Sequence, residues 1–131
     1  QASGSELIAV QRLRVIAGTV GQSADLTLLV DGEPKKASCT GYGPVDAVFN
    51  AIHQIVPHEA ELRLFQVHAV TEGTDAQAQV SVRLEEDGRI ATGAAADTDT
   101  LTASAKAYVN ALNNLFARKE KSAPAAITSG F

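Results

Sequence analysis

The 131 residues contain no methionine. A natural chain carries one at its start before processing, so the sequence is expected to be a fragment of something larger. There is one cysteine, Cys39. It cannot close an internal disulfide, which points to a reducing compartment and a cytoplasmic location. No stretch of these residues reads as a signal peptide, so none is expected. No apolar run approaches the roughly 18 residues of a membrane span. The 11 Lys and Arg are mixed with 15 Asp and Glu, for a net charge of −4. A nucleic-acid footprint needs clustered positive charge, so neither nucleic acid nor membrane is expected as a partner. Three histidines occur, with no HxH, HxxxH or CxxC spacing. No metal site is suggested, and no catalytic residue.

What is present is an alternation of strand and helix signals. With 45% hydrophobic residues the chain fits one globular domain, or two small halves sharing a core. Residues 1–5 (QASGS) read as a linker or frayed end. Leu7 to Val20 reads as extended. Leu26, Leu28 and Val30 then alternate within Ala24–Val30, Asp31-Gly32 signals a hairpin turn, and Lys35–Thr40 completes a third strand. Val45, Val48, Phe49, Ile52 and Val56 step by three and four, the spacing of a helix. Pro44 suits its first turn and Pro57 stops it.

The second half repeats the plan. Leu62–Val70 is extended, Thr71-Glu72-Gly73-Thr74 is a turn, and Gln77–Leu84 alternates. Asp87-Gly88 is again a turn, Arg89–Ala95 a strand, and a helix follows from about Thr98 to Ala117. Its inner face should carry Leu101, Ala105, Tyr108, Leu112 and Leu115. The stretch 119–131 reads as a disordered tail. Three echoes suggest a true duplication: Asp31-Gly32 with Asp87-Gly88, Thr40-Gly41 with Thr92-Gly93, and Phe49-Asn50-Ala51-Ile52 with Val109-Asn110-Ala111-Leu112. The expectation is an α+β fold of duplicated βββα units, with two three-stranded antiparallel sheets and two helices. The domain should span 6–118, its repeats at about 6–58 and 60–118.

His53 and His58 fall near a helix end, where a cation is favoured by the dipole, and are read as structural. His68, in a strand, is read the same way, and Cys39 as a small apolar residue. "GYGP" (Gly41–Pro44) matches neither phosphate-binding glycine pattern. "ADTDT" (Ala96–Thr100) is read as an N-cap rather than a metal loop. The two helix starts differ in character. The first is bare, with glycines that allow close approach and N–H groups that attract anions. The second is acidic. If both lie together, one corner could hold the carboxylate and ammonium of a free amino acid. Ordinary capping explains each start as well.

Three stretches, "GYGPVDAVFNAI", "FQVHAVTEGTDAQAQVSVRL" and "DTDTLTASAKAYVNALNNL", resemble the C-terminal regulatory domain of 2-isopropylmalate synthase. The citramalate synthase regulatory domain is similar. The resemblance covers about Glu6 to Arg118. It implies a dimer with an allosteric site at its interface, and a metal-dependent catalytic barrel lying N-terminal. In the family the end-product amino acid binds there, leucine for the first enzyme and isoleucine for the second. Carried over by motif, the effector residues are Gly41, Tyr42, Gly43, Pro44, Val45, Leu62, Phe65, Ala69, Ala76, Asp97 and Leu101. The family often has Tyr where this chain has Phe65, and a polar residue in place of Tyr42. "VHAVTEGTDAQAQV" favours the leucine branch. An independent enzyme and a pure dimerisation module are the competing readings. The first has no nucleophile–base pair to support it.

Overall fold

The computed structural model describes residues 7–19, 21–70 and 76–128. The expected linker at 1–5, the turn at Thr71–Thr74 and residues 129–131 lie outside them. The elements are β1 (Ile8–Gly18), β2 (Gly21–Val30), β3 (Glu33–Gly41), α1 (Pro44–Ile55), β4 (Glu61–Val70), β5 (Gln77–Glu86), β6 (Arg89–Asp97) and α2 (Thr100–Thr128). They form two antiparallel sheets, ordered β1-β2-β3 and β4-β5-β6, as the alternating patterns predict. One difference is the length of α2. Its backbone stays helical across 119–128, where a disordered tail was expected. The alanines, lysines and glutamate there are good helix formers, and they extend a helix already begun, against Pro124, which has no N–H for the helix ladder.

Local chemistry sets the turns. Asp31 and Gly32 have φ of 55° and 83°, Asp87 and Gly88 of 54° and 79°. Both turns therefore have positive φ at each central position, which matches the right-handed twist of the strands they join. The first strand of each sheet carries a bulge, between Val10 and Arg12 and between Leu62 and Leu64.

The helices and sheets share one core. α1 packs on β2 and β3; α2 packs on β5 and β6, and on β1 of the other half. Phe49 of α1 meets Phe65 of β4 edge-on at 5.6 Å, and Tyr108 of α2 at 4.4 Å. Each helix thus touches both sheets. This explains why α2 is buried around most of its girth, from Ala103 to Leu115, with Asn110 and Asn114 on an exposed stripe. Leu26 and Leu28 of β2, Val80, Val82 and Leu84 of β5, and Ile52 and Leu112 of the helices are fully enclosed. Each contributes on the order of 1.5–3 kcal/mol by leaving water.

Asparagines finish the polar bookkeeping. Asn113 is only 5% exposed. Its Nδ2 donates to the Ile8 carbonyl at 2.8 Å, and its Oδ1 accepts the Ile8 N–H at 3.0 Å. One helix side chain therefore stands in for a neighbouring strand. Asn50 donates to the Thr40 carbonyl (3.0 Å), Asn110 to Ala94 (3.0 Å) and Asn114 to Thr92 (2.7 Å). These occupy one outward carbonyl near the end of β3 and two in the middle of β6. Every buried side-chain nitrogen or oxygen among the described residues has a partner.

The duplication is confirmed by topology, yet two of the three echoes are out of register. Gly41 ends β3 opposite Gln22, whereas Gly93 sits in mid-β6 opposite Val82. The helix starts match instead: Ala47 N–H donates to Gly43, and Ala103 N–H to Asp99. That interval equals the one between the Asp-Gly turns, so Phe49 and Val109 are not equivalent. Gly41 and Gly93 share only a cause, the close approach of a helix.

Candidate functional site

The two helices point the same way. Phe49 lies beside Tyr108, and further along, Pro57 and His58 past the end of α1 share a surface depression with Phe116. Both helix starts therefore sit at one end of the molecule. The ends of β3 and β6 lead into them.

At the first start each residue has a distinct cause. A Cβ on Gly41 would lie 2.5 Å from the Ala47 nitrogen and 2.7 Å from Asp46 Oδ2. Glycine there lets the first turn of α1 press onto β3. Gly43 is different. As N-cap it has φ −146° and ψ 176°, extended backbone open to any residue, and nothing lies within 4 Å of its Cβ position. It makes no side-chain cap. Pro44 follows at the first position, and Asp46 Oδ2 reaches back to accept the Tyr42 N–H at 2.9 Å. Tyr42 itself is fully exposed, at 103%. The result is a helix start with no side-chain cap, preceded by an exposed aromatic residue.

The second start is closed by its own side chains. Asp99 Oδ2 accepts the Thr102 N–H at 3.0 Å and the Thr102 hydroxyl. Asp97 Oδ1 accepts the Asp99 N–H at 2.9 Å, and Oδ2 pairs with Lys106 Nζ at 3.1 Å. The Asp99 N–H and then Lys106 hold the Asp97 carboxyl below its usual pKa. This is the capping role that the "ADTDT" stretch suggested.

Gly41 to Val45, Asp97 and the half-buried Leu101 are thus gathered at one end. Ala69 and Ala76 flank the β4–β5 connection at that same end, Ala69 opposite Ala78. Phe65 stands midway, against Phe49. Leu62 is set apart: it pairs with Leu84 near the start of β4, at the opposite end of the strand. Seven residues separate it from Ala69, roughly 23 Å of extended chain.

Sequence reasoning missed a second polar cluster, beyond the end of α1. His58 Nδ1 accepts the Ala60 N–H at 3.1 Å, which assigns the remaining proton to Nε2, 3.1 Å from the Tyr108 hydroxyl. His53 Nε2 meets the His58 carbonyl at 3.0 Å. Burial first, and then His53, lower the His58 pKa from 6.5, against the pull of Glu86 and Glu59. Burial pushes the Tyr108 pKa up to about 12. The asparagine clamps were also missed. The signal available for them was a set of amides interrupting the apolar arc of α2. Among the described residues, no group of three His, Cys, Asp or Glu is placed to hold a metal ion. No helix among them is long and apolar enough to cross a membrane.

Two βββα units closed over a shared helix pair, with one open helix start, define a duplicated α+β domain. The profile of the LeuA allosteric (dimerisation) domain family matches residues 1–116, and the chain belongs to that family. It is 83% identical, over 99% of its length, to a 2-isopropylmalate synthase of Caulobacter vibrioides (strain NA1000 / CB15N) and to one of Caulobacter sp. (strain K31). It is 55% identical over 98% of its length to a 2-isopropylmalate synthase of Nitrobacter winogradskyi. The chain spans about a quarter of the length of these relatives, 25% in each case.

Proposed function

We propose that this chain is the allosteric regulatory domain of a 2-isopropylmalate synthase. Two copies associate, leucine binds between them, and bound leucine slows a catalytic barrel carried elsewhere in a full-length cytoplasmic acyltransferase. That barrel, not this domain, would hold the divalent metal and do the chemistry of leucine biosynthesis. The observation that carries the reading is the 83% identity across nearly the whole chain to proteins of that name. The open start of α1 supports it. An amino-acid carboxylate is the kind of anion that a bare helix N-terminus attracts. In this reading it meets the N–H groups of Gly43 and Val45, Pro44 between them having none. The carboxylates of Asp97 and Asp99, at the same end, favour an ammonium nearby. The ligand side chain would lie toward Phe65 and the Ala69 end of β4, with Leu62 too far along the strand to share the same protomer's pocket.

Calorimetric titration with leucine, isoleucine and valine, beside sedimentation of the same samples, tests this. Binding of leucine to a dimer is the expected result. A preference for isoleucine would favour the citramalate synthase reading. A dimer that binds none of the three would leave a dimerisation module only.

A further inference from the structure

The four outer sheet edges are covered to different degrees, and the outer edge of β3 before Thr40 carries Glu33, Pro34, Lys35 and Lys36, a proline and charges that blunt an edge against pairing. On β3 and β6 the outward carbonyls of Thr40, Thr92 and Ala94 accept hydrogen bonds from helix asparagines. On β1, Ile8 is held by Asn113. Thr92 and Ala94 turn their carbonyls away from β5, so the residues alternating with them make the ladder. Carrying that alternation across the register leaves the backbone of Leu62, Phe65, Val67 and Ala69 facing away from β5. Among the described residues no side chain covers these groups. β4 is thus a long strand with a bare edge, and such an edge is a template for another strand.

Its side chains point the same way. Leu62 is 43% and Val67 46% exposed, although both stand on the face of β4 that turns toward the core. The corresponding stretch of β1 is also uncovered beyond Ile8, but it carries Arg12 and Arg14. Two copies paired through the middle of β1 would set Arg14 against Arg14, and like charges directly opposite are destabilising. The middle of β4 is Gln66, flanked by Phe65 and Val67, with no charge among the three.

We propose that two copies of the chain join through β4, antiparallel about a two-fold axis at Gln66. This rests on the dimer reading given above. The two sheets become one of six strands, ordered β6-β5-β4-β4-β5-β6. Phe65 of one copy forms a hydrogen-bonded pair with Val67 of the other, and the reverse, as an isologous contact requires. Gln66 faces its own copy as a non-hydrogen-bonded pair, where Cα atoms are about 4.5 Å apart. That lies within the span a disulfide bridges, about 4.4–6.8 Å.

The test is cross-linking. In a Cys39→Ser background, Gln66→Cys and, separately, Arg14→Cys are oxidised under mild conditions and run without reductant, while sedimentation of the parent gives its mass. The expected result is a dimeric parent, a covalent dimer as the greater part of the Gln66→Cys protein, and monomer for Arg14→Cys. A dimeric parent in which Gln66→Cys fails to cross-link overturns the β4 interface and leaves the dimer standing. So does selective cross-linking of Arg14→Cys. A monomeric parent at micromolar concentration overturns both.

Discussion

Removing the Asn113 amide should unfasten α2 from the first sheet. The side chain makes two hydrogen bonds, both to Ile8, which is itself 4% exposed. Asn113→Ala deletes both partners at once and leaves a buried N–H and C=O with no replacement. Net loss of two ordinary hydrogen bonds is about 1–3 kcal/mol, and orphaned dry groups can cost about 1–3 kcal/mol each. A value near 3 kcal/mol is expected, some 10–15 °C in Tm for a domain of this size at roughly 3–6 °C per kcal/mol. Urea unfolding followed by circular dichroism measures it, with Asn114→Ala as control. Asn114 is exposed and makes one bond, so its loss should cost under about 1 kcal/mol. Asn113→Asp sharpens the test. One carboxylate oxygen can still accept the Ile8 N–H, but the other faces the Ile8 carbonyl. Burial and that carbonyl raise the carboxyl pKa above its usual range. The Asp variant should therefore be most destabilised, relative to the parent, at neutral pH. It should recover as pH falls through the raised pKa and the carboxyl becomes a donor. If Asn113→Ala costs less than about 0.5 kcal/mol, a typical surface value, or if the Asp variant shows no such recovery, the clamp is not what ties β1 to α2.

Gly93→Ala places a Cβ against the Ala107 carbonyl oxygen and the Ala111 nitrogen, which are backbone and cannot swing aside, so a loss of about 1–3 kcal/mol or more is expected by the same unfolding assay. Gly43→Ala meets nothing within 4 Å and should stay within about 0.5 kcal/mol of the parent. Because the folded pKa of His58 lies below 6.5, the unfolded chain takes up a proton first; stability should fall as pH drops from about 7.5 through 6.5 and level off below the folded pKa. His58→Gln should flatten that slope, and an unchanged slope would count against the histidine. Gly43→Val should fold normally by circular dichroism yet fail to bind leucine; parent-like affinity would remove the ligand from this helix start. Leucine should beat isoleucine and valine by tens of fold in calorimetry, since shifting one methyl group in an apolar pocket is worth roughly 1–3 kcal/mol.

Much of the architecture could be read along the chain because period and turn chemistry act locally. Leu26-Leu28-Val30 and Val80-Val82-Leu84 alternate where the strands are, and the Asp-Gly turns force the hairpins. Gly41 and Gly93 were harder, since a missing Cβ is explained only by what packs above it. Their likeness in sequence suggested an equivalence that the register does not support. The candidate site was legible at Gly41–Val45 and Asp97, where helix-start chemistry is local. Leu62 was grouped with them by motif, but distance along a strand depends on which end meets which helix. Asn113 and the His58–Tyr108 pair join residues far apart in the chain, and no short pattern records such contacts.

The sharing of both helices between both sheets has a consequence for how the chain folds. Neither βββα unit finishes its own core. The far side of α2 is completed by β1, and Phe49 rests on Phe65 and Tyr108 from the other half. A chain severed in the connection at 56–60 should therefore give two pieces that are each unstructured alone and regain structure only on mixing. The intact chain should unfold in a single transition seen alike by far-ultraviolet dichroism and tyrosine absorbance. Stabilising one half then protects the other equally, so hydrogen exchange in β2 and β5 should slow together.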